Sequence, residues 1–348
     1  MNKEKKAVTI YDIAEALHVS SATVSRALKN HKSIGTATTK AVMDMANKMG
    51  YHPNKMASSL RTKKTKTIGA IFPWINRPFT SSVISGIEDI ANQEGYNVII
   101  SQSNDFYRKE VSNTNTLLDS RIDGLIVSLA METTRYDHFE TFLQNGIPIV
   151  FVDRVCPELD TDRVVIDNFN AAYTATKHLI DQGFKAIAHL EGAQNRLVFK
   201  DRKEGYVAAL RDHAIDVNED FIVYSRLSFE EGFQSMEKLL KGKIIPRAIF
   251  CSTDTAAIGA MQCLKSKGIR VPTDMAIIGF NDDPTARIID PPLTTISQPS
   301  VEMGRIAAQQ VLKKLRQNEV IKSETIVLKT KLIIRASSVI QDVKAFYP

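Results

Sequence analysis

From Thr67 onward the chain alternates short apolar runs with longer stretches whose apolar residues recur at helical spacing, and this alternation restricts the fold more than any other feature. The apolar runs lie at 68–72, 97–101, 124–128, 147–152, 164–167, 186–190, 221–224, 248–251, 275–280 and 294–297. Runs of this length suit strands buried on both faces, and helices between most of them supply the crossovers that parallel strands require. Gly95, Gly146, Gly183 and Gly268 each follow an apolar helical stretch and precede a strand candidate, where a left-handed residue stops a helix. About 280 residues in this pattern exceed one comfortable core, so the region divides into two similar lobes. The expected class is α/β, with parallel sheets covered by helices on both faces.

The first 66 residues follow a different pattern. Thr9 with Asp12 three positions on forms an [ST]-x-x-[DE] capping box, and Ile13, Ala14 and Leu17 then fall on one helical face. After a turn at 18–20, Ser20 caps a second helix whose Val24, Ala27 and Leu28 point back at that face, leaving Ser21, Ala22, Ser25 and Arg26 outside. A helix fits the major groove only if its leading residues let it approach closely. Arg there makes two hydrogen bonds to guanine O6 and N7, and Ala meets a thymine methyl. A third helix is expected over 36–49, with Ala41, Val42, Met45, Ala46 and Met49 inward and Gly50 as its stop. Residues 51–54 break the chain, 55–61 can make one or two further helical turns, and the polar run 62–67 reads as a linker.

Charge separates the two regions. Residues 1–66 hold thirteen Lys or Arg against Glu4, Asp12, Glu15 and Asp44, a net of +9; the whole chain is +6, so the remainder carries about −3. A basic unit on a slightly acidic chain suits phosphate binding, because each neutralised phosphate releases condensed counterions. Enzymatic supports are missing from the sequence: no G-x-G-x-x-G after the first strand, no G-x-x-x-x-G-K-[ST] loop and no G-x-S-x-G elbow. The 7 His and 3 Cys show neither H-x-x-x-H nor C-x-x-C spacing, so no metal and no cofactor are expected. Cys156, Cys251 and Cys263 suit a reducing compartment. The polar start MNKEKKAVT lacks a secretion signal, and no 18-residue apolar run is present, so a cytoplasmic protein without membrane contact is expected.

Thr9-Ile10-Tyr11-Asp12-Ile13-Ala14, Val19-Ser20 with Thr23-Val24-Ser25-Arg26, Gly50-Tyr51-His52-Pro53-Asn54, and Ala57 with Leu60-Arg61 together resemble the LacI/GalR (lactose/galactose repressor) family of bacterial transcription regulators. The resemblance implies a helix-turn-helix headpiece over 1–53, a hinge helix and linker over 54–66, and a two-lobed periplasmic-binding-protein-like (type I) domain over 67–348, reaching Arg335-Ala336-Ser337-Ser338. Its lobes are expected at about 67–166 with 297–327, and 167–296 with 328–348, the chain crossing near Asp167, Ser297 and Leu328. The DNA-facing residues it implies are Thr9, Tyr11, Ser20, Ser21, Ala22, Thr23, Ser25, Arg26, Lys29, Thr38, Asn54, Ala57, Leu60 and Arg61. Leu60 matches the leucine that wedges into the minor groove at the operator centre and kinks the duplex. Gly35, Thr39 and Ser58 depart from residues common in the family, which weakens expected phosphate contacts and leaves the binding mode intact.

In open parallel sheets a ligand sits beyond the carboxyl ends of the strands. That placement selects Arg77 and Phe79 after the first strand, Asp153 and Arg154 after the fourth, Thr253, Asn281 and Gln298, and Arg202, which with Gly205-Tyr206 matches the family pattern R-x-x-G-[FYW]. The arginine fork suits vicinal hydroxyls or a carboxylate. Asn281 stands where many relatives carry Asp, and Thr253 where Asn is frequent. Each residue also has a plainer role: Asp153 and Asp254 as helix caps, Arg202 in a surface ion pair, Asn281 in a turn, Phe79 in the core, and Trp74 in either the cleft or the lobe interface. The implied partners are double-stranded operator DNA, a small-molecule effector of sugar type and a second copy of the chain. The ten residues beyond Ser338 are too few for a helical tetramerisation tail, so a homodimer is expected. The competing reading is a cytosolic sugar-binding adaptor whose headpiece contacts protein.

Overall fold

The computed structural model describes residues 8–51, 64–316 and 322–340. They form two compact units, 1–65 and 66–348.

The first unit holds α1 (Ile10–Ala16), α2 (Ser21–Ala27) and α3 (Thr36–Met49). The Asp12 carboxylate accepts the Thr9 backbone N–H and hydroxyl, both at 2.7 Å, so the capping box forms. His18, at φ 51°, turns the chain between α1 and α2, and the Ser20 hydroxyl accepts the Thr23 N–H at 3.0 Å. Gly50 ends α3 in the left-handed conformation. Ile13, Ala14, Val24, Ala27, Val42 and Ala46 make the core. Ala41, expected among them, is exposed, because it lies one position off the Val42–Ala46 seam, about 100° round the helix.

The second unit contains two six-stranded sheets. Its strands are β1 (Thr67–Phe72), β2 (Asn97–Gln102), β3 (Gly124–Val127), β4 (Ile149–Val152), β5 (Asp162–Ile166), β6 (Ile187–Glu191), β7 (Ile222–Tyr224), β8 (Ala248–Cys251), β9 (Ala276–Asn281), β10 (Thr294–Ser297), β11 (Thr325–Leu328) and β12 (Lys331–Ile333). Its helices are α4 (Pro78–Gln93), α5 (Tyr107–Asp119), α6 (Asp137–Gln144), α7 (Asn168–Asp181), α8 (Leu197–Asp212), α9 (Phe229–Leu240), α10 (Asp254–Ser266), α11 (Thr285–Ile288) and α12 (Ser300–Arg316). The first sheet runs β11-β5-β4-β3-β1-β2 and the second β12-β10-β9-β8-β6-β7. All pairs are parallel except β10 with β12. The chain therefore passes between sheets after Ile166, after Ser297 and after Leu328.

Strand alternation builds the layers. In the first sheet Ile68, Ala70, Phe72, Ile126 and Val150 pack under Val83 and Ile87 of α4 and Met303 and Ala307 of α12. Ile71, Leu125, Val127 and Phe151 face the opposite way onto Leu117 of α5 and Phe139 and Phe142 of α6. The second sheet repeats the scheme, with α7 and α8 on one face and α9 and α10 on the other. Each fully buried Ile, Leu, Val or Phe in these layers contributes roughly 1.5–3 kcal/mol of transfer free energy. All ten strand candidates are paired, and Gly95, Gly146, Gly183 and Gly268 have positive φ. β11 and β12 were not expected. Both are short edge strands, four and three residues long, whose residues are exposed or half-buried and whose apolar runs are only three residues each.

Candidate functional sites

On α2 of the first unit, Val24 and Ala27 are buried and Ser21, Ala22, Ser25 and Arg26 occupy the other side, with Ala22 and Arg26 exposed. Thr9, Ser20 and Lys29 are also exposed, Tyr11 is 69% exposed, and Thr23 and Thr38 are half-buried. Two of these residues hold the helices as well as facing outward: Thr9 and Ser20 are the first-turn caps of α1 and α2. Asn54, Ala57, Leu60 and Arg61 lie outside the described residues.

In the second unit Arg77, Phe79, Asp153, Arg154, Arg202, Thr253, Asn281 and Gln298 all line one cleft between the sheets, about 830 Å³ with part of it open to solvent. They reach it for a topological reason. β1, β3 and β4 of one sheet and β6, β8 and β9 of the other run parallel, so their carboxyl-end loops gather in one place.

Arg202 lies one helical turn beyond Phe199 on α8 and is 3% exposed. Its Nε donates to Asn168 Oδ1 at 2.9 Å and its Nη1 to the Ser252 carbonyl at 2.8 Å, and the guanidinium lies 3.6 Å from the Phe280 ring centre. Burial lowers its pKa to about 10, with Asp153 acting the other way. The rest of the R-x-x-G-[FYW] pattern is structural: a Cβ on Gly205 would meet the Phe169 carbonyl at 2.2 Å, and the Tyr206 hydroxyl donates to the Ile187 carbonyl at 2.8 Å inside the core. Asp153 does not cap a helix. It sits at φ 63°, its carboxyl raised by burial and held down by Arg154 and Arg202. Arg154 pairs with Asp105 at 2.6 Å; Asp105 also accepts the Trp74 indole N–H at 2.7 Å and the Met131 N–H at 2.9 Å.

Thr253, not Asp254, caps α10: its hydroxyl accepts the Ala256 N–H at 3.2 Å. Asp254 turns inward, taking the Thr295 hydroxyl at 2.6 Å and the Asp283 N–H at 2.7 Å, and burial pushes its pKa up to about 7. Asn281 Oδ1 accepts from Gln298 Nε2 at 2.7 Å, joining adjacent strands β9 and β10 through two neutral amides. The Gln298 side-chain carbonyl oxygen is buried without a protein partner. Phe79 both lines the cleft and packs on the sheet core. Trp74 lies in the cleft wall.

Asp105, Ser128, Phe199 and Asp283 also line the cleft and were not expected there. Asp105 and Ser128 follow β2 and β3, two strand ends from which no residue was selected; applying the same rule to every strand finds both. Phe199 precedes Arg202 by three on one helix face. Among the described residues no group of His, Cys, Asp and Glu is arranged to hold a metal ion, and no helix is long and apolar enough to cross a membrane.

A helix-turn-helix unit with a small-residue outer face, followed by a two-sheet domain with a polar cleft, defines a DNA-binding protein with a periplasmic-binding-protein-like body. Residues 9–54 match the bacterial regulatory proteins of the lacI family, and residues 176–338 the periplasmic binding protein-like domain. The chain is 33% identical over 330 residues to the ribose operon repressor of Haemophilus influenzae, covering 94% of this chain and 98% of that one. It is 35% identical over 336 residues to the repressor CytR of Escherichia coli K12, covering 97% and 98%. Among solved structures, the lac repressor dimer bound to operator superposes with a TM-score of 0.86 at 24% identity, covering 96% of this chain and all (100%) of that one. A LacI family regulator from Enterococcus faecium with bound ribose superposes at 0.71 with 27% identity, covering 78% and 98%. The chain belongs to the LacI family of bacterial regulatory proteins and is a DNA-binding transcription regulator.

Proposed function

We propose that this regulator is a repressor which binds a near-palindromic operator as a homodimer and is controlled by a sugar or sugar derivative in the cleft. The observation that carries the effector reading is the meeting of Arg202, Asp153, Arg154, Asn281 and Gln298, drawn from both sheets, beside the rings of Phe79, Trp74 and Phe199. Fixed donors and acceptors at the rim of an apolar wall suit a polyhydroxylated ring, with hydroxyls to the polar groups and C–H faces to the aromatics. The ribose-bound relative supports that class.

On the DNA side, Arg26 and Ala22 read base edges, Ser20, Thr23, Lys29 and Thr38 hold phosphates, and Leu60 supplies the wedge. A two-fold dimer matches two operator half-sites. Effector and operator then bias one conformational equilibrium, a coupling of typically ~1–3 kcal/mol that is reciprocal between the two ligands.

A mobility shift on the DNA upstream of the chain's own gene, titrated with salt and with a panel of pentoses, hexoses and nucleosides, tests the reading. Binding that falls steeply with salt and shifts with one panel member is expected. Salt-insensitive binding, or a calorimetric panel with no heat from any sugar, contradicts the operator and effector halves respectively.

A further inference from the structure

One side of the cleft is already bridged by protein. The loop after β3 crosses from the first lobe, which carries the first sheet, to the second. Met131 packs against the second lobe's apolar cluster, its carbonyl accepts the Asn195 side-chain amide at 3.0 Å, and the Thr133 carbonyl accepts Arg196 Nη2. Arg196 also hydrogen-bonds Tyr136, in the same first-lobe loop. Asn195 and Arg196 immediately precede α8, the helix that carries Phe199 and Arg202 into the cleft.

The loop is braced from its own side. Buried Glu110 takes the Ala130 N–H and the Thr133 hydroxyl, each at 2.7 Å, and lies 3.0 Å from His138 Nε2. Asp105 holds the Met131 N–H. Two carboxylates thus fix the carbonyls of 131 and 133 at the angle the second lobe grips.

The grip itself is modest. Arg196 is 4% exposed, its hydrogen bonds go to neutral groups, and its Nε has no protein partner. Burying a guanidinium on such terms returns little net free energy, because opening would give it and both carbonyls back to water. A contact that favours the closed form by only a modest margin leaves a minor open state that a ligand or a substitution can populate, which is what a two-state element requires.

We propose that residues 130–133 are a latch by which the first lobe holds the second, keeping the cleft closed on this side in the absence of effector, with Asn195 and Arg196 as the positioning residues that receive it. Effector then binds a preorganised cleft, and loss of the latch lowers effector affinity by the factor by which the closed population falls.

The test uses the full-length protein without effector. Arg108→Cys on α5 and Glu204→Cys on α8 put spin labels on exposed positions of the two lobes, while the native thiols Cys156, Cys251 and Cys263 are buried. Labelled chain is diluted into excess unlabelled chain so that only distances within one chain are read by pulsed dipolar spectroscopy. The parent should give one narrow distribution. Asn195→Ala and Arg196→Ala should each add a longer-distance population, with the open fraction rising on the order of tenfold for Arg196→Ala. Asn195 is exposed, so its variant tests the latch without disturbing the core. A longer population in either variant with the folded far-ultraviolet signal intact supports the latch. Unchanged distributions in both, or a new population that appears only with loss of that signal, overturn it.

Discussion

Asp254 is an acid the fold shields from water but does not ion-pair. Its two hydrogen bonds, from Thr295 and the Asp283 N–H, favour the charge, and burial outweighs them, moving the carboxyl from 3.8 to about 7. Asp283, in the cleft wall, is raised in the same way to about 6. For a carboxyl whose folded pKa is raised, the native state holds a proton that the unfolded chain has lost, so this contribution to stability is full below the unfolded value and disappears as pH rises through the folded one. Asp254→Asn keeps an acceptor for the Asp283 N–H and cannot ionise. Its Tm relative to the parent should therefore rise between about pH 4 and about pH 7; a difference that stays constant across that window rules out the shift. None of this could be read from Thr253-Asp254 in sequence, where either residue looks like a cap. The inward turn of Asp254 uses the space beside Gly279, whose missing Cβ would lie 2.1 Å from the Asp254 carboxylate.

At the scale of helices, glycines in mid-helix look like defects of about 1 kcal/mol each when only the sequence is in view. In the fold they are contact points. A Cβ on Gly86 of α4 would lie 2.0 Å from the Val301 carbonyl of α12, and one on Gly304 of α12 would lie 1.9 Å from the Val83 carbonyl of α4. Gly232 of α9 and Gly259 of α10 repeat the arrangement at 2.2 Å and 2.0 Å. Backbone meets backbone at both crossings, so the helices that cover each sheet approach closely. Gly304→Ala should destabilise the second unit by ~1–3 kcal/mol through overpacking against backbone, which cannot move aside as a side chain does. A denaturant midpoint equal to that of the parent contradicts the close crossing. The strands were more legible than these pairings, since a buried run such as 276–281 shows its apolar residues directly. β11 and β12 were less legible, because their apolar runs, 326–328 and 332–334, are only three residues long and are separated by two lysines and a threonine.

Across the whole molecule, the passages between sheets gather at β5, β10, β11 and β12, which leaves β2 and β7 as the far edges of the two sheets. Both edges expose apolar side chains: Ile99 at 40%, Ile100 at 42%, and Tyr224 at 57%. An unpaired edge with apolar flanks is a surface for another chain, and we assign it to the second copy in the proposed dimer. Light scattering should give a dimer mass for the parent, and Ile99→Lys with Ile100→Glu should shift the molecule toward monomer at micromolar concentration. A dimer that persists unchanged in the double variant removes this edge from the interface.

The one-dimensional pattern alone determined the helix-turn-helix, its basic charge, ten of the twelve strands among the described residues and the residues just past their ends, because capping, periodicity and strand termination are local properties of neighbouring side chains. Only the tertiary structure decided that those ends share one cleft, that Asp105 anchors Arg154, that Asp254 is buried, and that Asn195 and Arg196 grip the opposite lobe. Each of these depends on groups far apart in the chain being brought within hydrogen-bond reach and out of water, and no local spacing encodes either the distance or the burial.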